Sequence, residues 1–174
     1  MAVRSAVVVT VPDAERAVGE WRLQYTRDAP AGMPPHVSLL FPFVPAERVD
    51  EVEQPLAGLV AAAHAFDLVF RRTARFPEVL YLDPEPTEPF LALTAAISAE
   101  WPEHPPYEGA FDTVIPHLTV AESRDQGLLD RIAVAVEAHL PVETRVRDAS
   151  LFVEDDDRRW RELSRLPLGQ PGVA

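Results

Sequence analysis

The sequence predicts an α+β fold built from two similar units, each in the order helix, Pro-rich loop, strand, helix, strand, strand. Two observations support this class. Apolar residues switch between helical spacing and short β-branched runs, and the resulting order of elements occurs twice along the chain. We expect one domain over residues 1–174 with pseudo-symmetric lobes at about 12–83 and 87–166. The lobes are expected to have mainly antiparallel sheets that face a central groove, with the helices outside.

The first half begins with a β-branched run at residues 5–11, which predicts a buried strand. A helix follows from Pro12, and its apolar positions have helical spacing: Ala14, Ala17, Val18, Trp21 and Tyr25. The same patterns predict a Pro/Gly loop at 27–35, a strand at 36–41, a helix at 46–63, and strands at 66–76 and 79–83. Pro55 predicts a kink or a break in the second helix, because proline has no backbone N–H to donate.

The second half repeats this order. It predicts a helix at 87–101, a Pro/Gly loop at 102–112, a strand at 114–121, a helix at 128–140, and strands at 142–153 and 160–166. The acidic run at 154–157 separates the last two strands and is typical of a polar hairpin turn.

Composition limits the range of functions. The chain has 28 acidic and 16 basic residues, all of the latter Arg, and a formal net charge of −12. Such an acidic chain is not expected to bind long duplex nucleic acid, which requires many phosphate contacts, although a few local donors can hold a small phosphorylated ligand. The absence of Cys excludes disulfides, thiolate metal sites and a Cys nucleophile. With neither a signal-type core nor a long apolar run, we expect a cytoplasmic protein without membrane contact.

One short motif occurs in both halves at the same place, the strand after the Pro-rich loop. Its two copies are Pro-His-Val-Ser-Leu at 35–39 and Pro-His-Leu-Thr-Val at 116–120. Residues i and i+2 of a strand point to the same face. His36 therefore shares a face with Ser38, and His117 shares a face with Thr119, while the aliphatic residues point into the core.

This pattern suits a phosphate ester. If the lobes face each other, two imidazoles and two hydroxyls converge, and the hydroxyls can hydrogen-bond phosphate oxygens. One neutral imidazole can accept a proton from the nucleophile and the other can protonate the leaving oxygen. The alternative is that both residues are structural histidines of a strand. A zinc site is not expected, because the chain has no Cys, no HExxH and no His-x-His.

The duplicated motif, in register with a structural repeat, resembles that of the 2H phosphoesterase superfamily, which includes bacterial 2′-5′ RNA ligases and cyclic nucleotide phosphodiesterases. The resemblance implies opening of 2′,3′-cyclic or related cyclic phosphates of nucleotides or RNA ends without metal or cofactor. We expect the protein to be a monomer. It implies catalytic roles for His36 and His117, with Ser38 and Thr119 on the phosphate. His117 is assigned as the base and His36 as the acid, and the near-symmetry leaves the reverse order open. RNA joining or end processing, and nucleotide binding without catalysis on the same fold, also remain open.

Further candidates lie near the two motifs. Phe41, Tyr107 and Phe111 could stack on a base, with core packing as the alternative. Arg27 and Arg124 could reach a phosphate, with a solvated surface charge as the alternative. We expect the substrate to be a small nucleotide or an RNA terminus.

Overall fold

The computed structural model describes residues 3–170, and in this range eight strands and four α-helices follow one another along the chain. The strands are β1 (Ser5–Thr10), β2 (His36–Leu40), β3 (Phe66–Phe76), β4 (Val79–Glu85), β5 (Leu118–Glu122), β6 (Val142–Val146), β7 (Asp148–Glu154) and β8 (Trp160–Pro167). The helices are α1 (Glu15–Tyr25), α2 (Val49–Ala62), α3 (Glu88–Glu100) and α4 (Gln126–Glu137). None of the helices in the described range is long and apolar enough to cross a membrane.

The strands form two four-stranded antiparallel sheets, in the orders β2-β1-β7-β8 and β5-β4-β3-β6. This confirms the predicted α+β class with antiparallel sheets. The two strands that follow the Pro-rich loops are β2 and β5. Each forms an edge of its sheet, and the two strands lie next to each other. The duplicated motif therefore occupies equivalent positions in the two sheets.

The sheets do not coincide with the expected lobes at 12–83 and 87–166. Each sheet combines strands of both ranges. β2 shares a sheet with β7 and β8, while β3 and β4 share a sheet with β5 and β6. The cause lies at the predicted strand 142–153. It is divided at Arg147 into two strands that belong to different sheets, and β7 pairs with β1 near the start of the chain.

Two elements also differ from what the sequence patterns predict. The second helix is continuous through Pro55, which is exposed, so water can satisfy the carbonyl that lacks an intrahelical donor. The strand predicted at 114–121 begins only at Leu118, since Pro116 cannot donate to a sheet ladder. His117 therefore sits immediately before β5 and not within it.

The aliphatic residues of both motifs are buried, with Val37, Leu39, Leu118 and Val120 at most 1% exposed. Helix α3 packs behind β2, where the Thr94 hydroxyl donates to the Leu39 carbonyl over 2.7 Å. Helix α1 packs behind β5. Each motif strand is thus held by a helix on its core face, and its alternate residues are left for the groove.

Candidate active site

The polar residues of both motifs line one cavity of about 520 Å³ between the sheets: His36, Ser38, His117 and Thr119. The predicted convergence of two imidazoles and two hydroxyls is therefore present in the structure. It follows from the placement of β2 and β5, because the side chains of residues i and i+2 of each motif line the same space, with His117 immediately before β5.

The two imidazoles are held in the same way. The Nδ1 of His36 lies 2.9 Å from the Pro34 carbonyl oxygen, and the Nδ1 of His117 lies 2.7 Å from the Ile115 carbonyl oxygen. A carbonyl only accepts, so Nδ1 carries the proton in both rings. In the neutral form, Nε2 is then the basic nitrogen of each ring, and it is the atom available for proton transfer.

The two histidines are neutral at pH 7 in the ligand-free site. Burial lowers the pKa of His36 to about 4, with smaller contributions in the same direction from Arg22 and His117, while Asp28 opposes the shift. Burial also lowers the pKa of His117, against the hydrogen bond to Ile115. Asp28 has one carboxylate oxygen 3.8 Å from His36 Nε2.

We predict that this burial makes folding sensitive to acid. The unfolded chain protonates His36 near pH 6.5, whereas the folded protein does so only at about pH 4. Stability should therefore fall as the pH decreases from 6.5 to 4, by about 3 kcal/mol at the lower end. Urea unfolding of the wild type and His36→Gln across this range measures the difference, since the glutamine cannot protonate.

The exposed His139 provides the control for this experiment. His139→Gln should keep the wild-type pH dependence. If His36→Gln keeps it as well, His36 is not the group whose protonation opposes folding.

Arg22 was not predicted, and it links the two motifs. It is 1% exposed on α1 and donates to the Thr119 carbonyl over 2.8 Å, and to the Met33 and Pro34 carbonyls over 3.2 and 3.3 Å. It also forms an ion pair of 3.2 Å with Asp28. The Pro34 carbonyl is the one that accepts from His36, so a single side chain is bonded to the backbone beside both histidines. One feature of the sequence could have indicated that Arg22 is buried. It lies within the apolar stripe of a predicted helix, four residues after Val18.

The other end of the groove combines an ion pair with aromatic rings. Arg4 forms two hydrogen bonds of 2.9 and 3.0 Å with Glu154, which is 4% exposed, and lies over the rings of Phe41 and Trp160. Arg158 lies 3.4 Å from the same carboxylate. The hydrogen bond from Arg4 lowers the pKa of Glu154. Glu154 is therefore a buried residue of β7 and not part of a solvated hairpin turn.

The other predicted site residues lie in three different places. Phe41, Tyr107 and Arg27 line the groove. Arg124 does not reach it, because the chain leaves β5 after Glu122, and Arg124 pairs with Glu78 over 3.2 Å with its side chain 90% exposed. Phe111 lines a neighbouring cavity, where its ring is 5.6 Å from that of Tyr107. Glu122, which was not predicted, also lines the groove, and burial raises its pKa.

Paired motifs on equivalent edge strands of two antiparallel sheets define the fold and site of a 2H phosphoesterase. The chain belongs to the 2′-5′ RNA ligase superfamily, whose sequence model matches residues 10–158. This confirms the family to which the two motifs pointed.

Solved structures share this fold over nearly the whole chain. LigT of E. coli in complex with 3′-AMP has a TM-score of 0.65 and 18% sequence identity, covering 98% of this chain and 100% of its own. LigT in complex with ATP has a TM-score of 0.63 and 21% identity, with the same coverage. The protein TT0787 of Thermus thermophilus has a TM-score of 0.66 and 20% identity, covering 97% of this chain and 100% of its own. None of the curated proteins matches the sequence.

Proposed function

We propose that the protein is a metal-independent phosphodiesterase that opens 2′,3′-cyclic phosphates of nucleotides or RNA ends by two-histidine acid–base catalysis. One observation carries this proposal. Two histidines with the same Nδ1-to-carbonyl hydrogen bond line one cavity together with a hydroxyl residue from each motif. That set supplies a proton acceptor, a proton donor and phosphate ligands.

A small nucleotide is the ligand class that the surroundings favour. The groove of about 520 Å³ is of the size of small-molecule sites, and Phe41 and Tyr107 in its wall offer faces for a base. LigT has been solved with 3′-AMP, ATP and NADP⁺. Ser38 and Thr119 are assigned to the phosphate oxygens. Arg27, one of the arginines that line the groove, can add a charge-assisted contact.

The proposed step is the addition of water to the cyclic phosphate. His117 Nε2 takes a proton as the water oxygen bonds to phosphorus, the bond from phosphorus to O3′ breaks, and His36 Nε2 donates its proton to O3′. The product is the 2′-phosphate. His36 is neutral in the free site, so its proton is taken up with the phosphate anion, whose negative charge raises the pKa of a nearby imidazole. The Asp28 carboxylate at 3.8 Å supports His36 as the proton donor.

We expect turnover of 2′,3′-cyclic mononucleotides that persists in EDTA, with the 2′-phosphate as product, measured by phosphorus NMR. The double variant His36→Ala/His117→Ala should lose this activity, whereas the exposed His139→Ala should retain it. Activity that disappears in EDTA and returns with added metal would contradict the metal-independent mechanism. Equal activity of the double variant and the wild type would contradict the assignment of both histidines.

RNA joining is the second candidate, and membership of the 2′-5′ RNA ligase superfamily is the observation that favours it. It would use the same groove with an RNA 5′-hydroxyl in place of water. The net charge of −12 weighs against a long RNA footprint. Comparing kcat/KM for a cyclic mononucleotide with that for an oligonucleotide ending in a cyclic phosphate separates the two candidates.

A further inference from the structure

A cluster of charged side chains forms the end of the groove opposite the two histidines. We call this cluster the far end and define it by Arg4, Glu154 and Arg158, which line the groove. The buried carboxylate of Glu154 accepts two hydrogen bonds from Arg4 and two longer ones, of 3.4 Å, from Arg158. A carboxylate has about four acceptor positions. The two arginines therefore occupy the acceptors of Glu154.

The hydrogen-bonding groups that remain at the far end are donors. In the described residues, the bonds to Glu154 use Nε and Nη2 of Arg4 and Nη1 of Arg158. They leave Nη1 of Arg4, and Nε and Nη2 of Arg158, for a ligand. Only an acceptor can pair with these groups, because a guanidinium has no lone pair to offer. An amino group placed against them would lose its hydrogen bonds to water without gaining a partner.

The charges at the far end are balanced. The hydrogen bond to Glu154, and more weakly the charge of Glu108, raises the pKa of Arg4. The two guanidiniums thus lie beside two carboxylates, which would repel a second phosphate. The far end therefore suits an uncharged group that carries hydrogen-bond acceptors.

The groove between the phosphate position and the far end has the length and lining that a nucleoside requires. Ser38 pairs with Val8, and the groove is then lined by every second residue of the chain at Val8, Ala6 and Arg4. Val8 and Arg4 are four strand residues apart, about 13 Å. Val8 and Ala6 are buried and form an apolar cluster with Phe41 packed against it. A base carried by a phosphate at Ser38 can lie on this apolar surface with its outer edge at the far end.

The backbone of the hairpin between β7 and β8 fixes the position of Arg158. Arg158 adopts a left-handed conformation with φ of 64°, which is costly for a residue with a Cβ. Its N–H donates to the Asp155 carbonyl over 3.0 Å, and the Asp155 carboxylate accepts from two further N–H groups of the turn. The Trp160 N–H donates to the Ala31 carbonyl over 2.7 Å, which joins the hairpin to the first Pro-rich loop. Strain of this kind is concentrated at ligand sites, where the surrounding structure maintains it.

We propose that the far end selects the base of the substrate and prefers guanine, whose O6 and N7 accept hydrogen bonds from Arg4 and Arg158. This inference rests on the proposed function, because it places the phosphate at the two motifs. Guanine presents O6 and N7 as adjacent acceptors, which a guanidinium matches. Adenine has an amino group in place of O6, and cytosine also presents an amino group, so both would face donors with a donor. Uracil presents O4 alone.

The test compares the binding of inosine 3′-phosphate and adenosine 3′-phosphate. Hypoxanthine, the base of inosine, has the O6 and N7 of guanine, whereas adenine has an amino group at position 6. The two nucleotides have the same phosphate and purine rings of the same size. Calorimetric Kd values should show the inosine nucleotide bound about tenfold more tightly by the wild type.

Variants of the two arginines show whether the far end causes this preference. Arg158→Gln should reduce the ratio of the two Kd values at least threefold. Arg4→Lys keeps a counter-ion for the buried Glu154 but lacks the guanidinium fork, so it should also reduce the ratio. Arg159→Gln removes an exposed arginine from the same hairpin and should leave the ratio unchanged.

Equal binding of the two nucleotides by the wild type, or tighter binding of the adenosine nucleotide, would overturn the proposal. A ratio that is unaffected in both far-end variants, or that Arg159→Gln reduces as much as Arg158→Gln, would overturn it as well. The readout is the binding of a nucleotide without a cyclic phosphate, so it is separate from turnover. A protein that opens cyclic phosphates but binds both nucleotides equally has the proposed function without base selection. A protein that prefers the inosine nucleotide but opens no cyclic phosphate has base selection without the proposed function.

Discussion

Replacing His36 by alanine is expected to lower kcat for opening a 2′,3′-cyclic phosphate about a thousandfold, and a sulfur leaving group should restore most of the loss. An acid is needed because an alkoxide is a poor leaving group, and general acid catalysis is typically worth 10²–10⁴-fold. A thiol has a pKa of about 8.5 and leaves as the thiolate without a proton. With sulfur in place of O3′, His36→Ala should therefore fall within about tenfold of the wild type on the same substrate.

The variant His117→Ala, measured with the same two substrates, tests which histidine is the acid and which is the base. His117→Ala removes the proposed base, which activates water with either leaving group, so it should lose about a thousandfold on both substrates. Rescue of His117→Ala instead of His36→Ala would assign the acid role to His117 and reverse the order proposed here. Rescue of neither variant would mean that neither histidine protonates the leaving oxygen. Circular dichroism of the two variants shows whether each one is folded.

Arg22→Met is expected to lower the free energy of unfolding at neutral pH by about 3 kcal/mol. Arg22 is 1% exposed and is bonded to three carbonyls and to Asp28. Methionine has a similar volume but no donor, so buried carbonyls lose their partner and Asp28 loses its counter-ion. The variant should also turn over more slowly, because the Pro34 carbonyl that orients His36 is no longer held by Arg22.

Two further substitutions separate this role from a general effect of changing an arginine on α1. Arg16→Met removes an exposed arginine from the same helix and should change stability by less than about 0.5 kcal/mol. Arg22→Lys keeps the charge but cannot reach as many acceptors as the guanidinium fork, so it should lie between Arg22→Met and the wild type. Urea unfolding that gives the same stability for Arg22→Met and Arg16→Met would contradict the role of Arg22.

Local patterns in the sequence were sufficient to predict the α+β class and the two polar side chains that each motif presents on one face. The period of two in a strand places His36 with Ser38, and His117 with Thr119, while the aliphatic residues between them become the core. The Nδ1 of each imidazole is hydrogen-bonded to a carbonyl two residues earlier in the chain, which is also a local contact. The occurrence of the motif at the same place in both halves was enough to indicate one shared site.

Long-range pairing decided the features that local patterns do not encode. Both halves of the chain contribute to both sheets, because β1 pairs with β7 in one sheet while β3 pairs with β6 and β4 with β5 in the other. The short segment around Arg147 sends β6 and β7 to different sheets. Arg22 is buried because acceptors from the loop that follows α1 and from the distant Thr119 in β5 converge on it. Arg124 and Phe111, which are close in sequence to the second motif, lie outside the groove, since the end of β5 and the strained turn at Tyr107 direct them elsewhere. The duplicated motif therefore identified the histidines, whereas the packing of the two sheets against each other selected the residues that surround them.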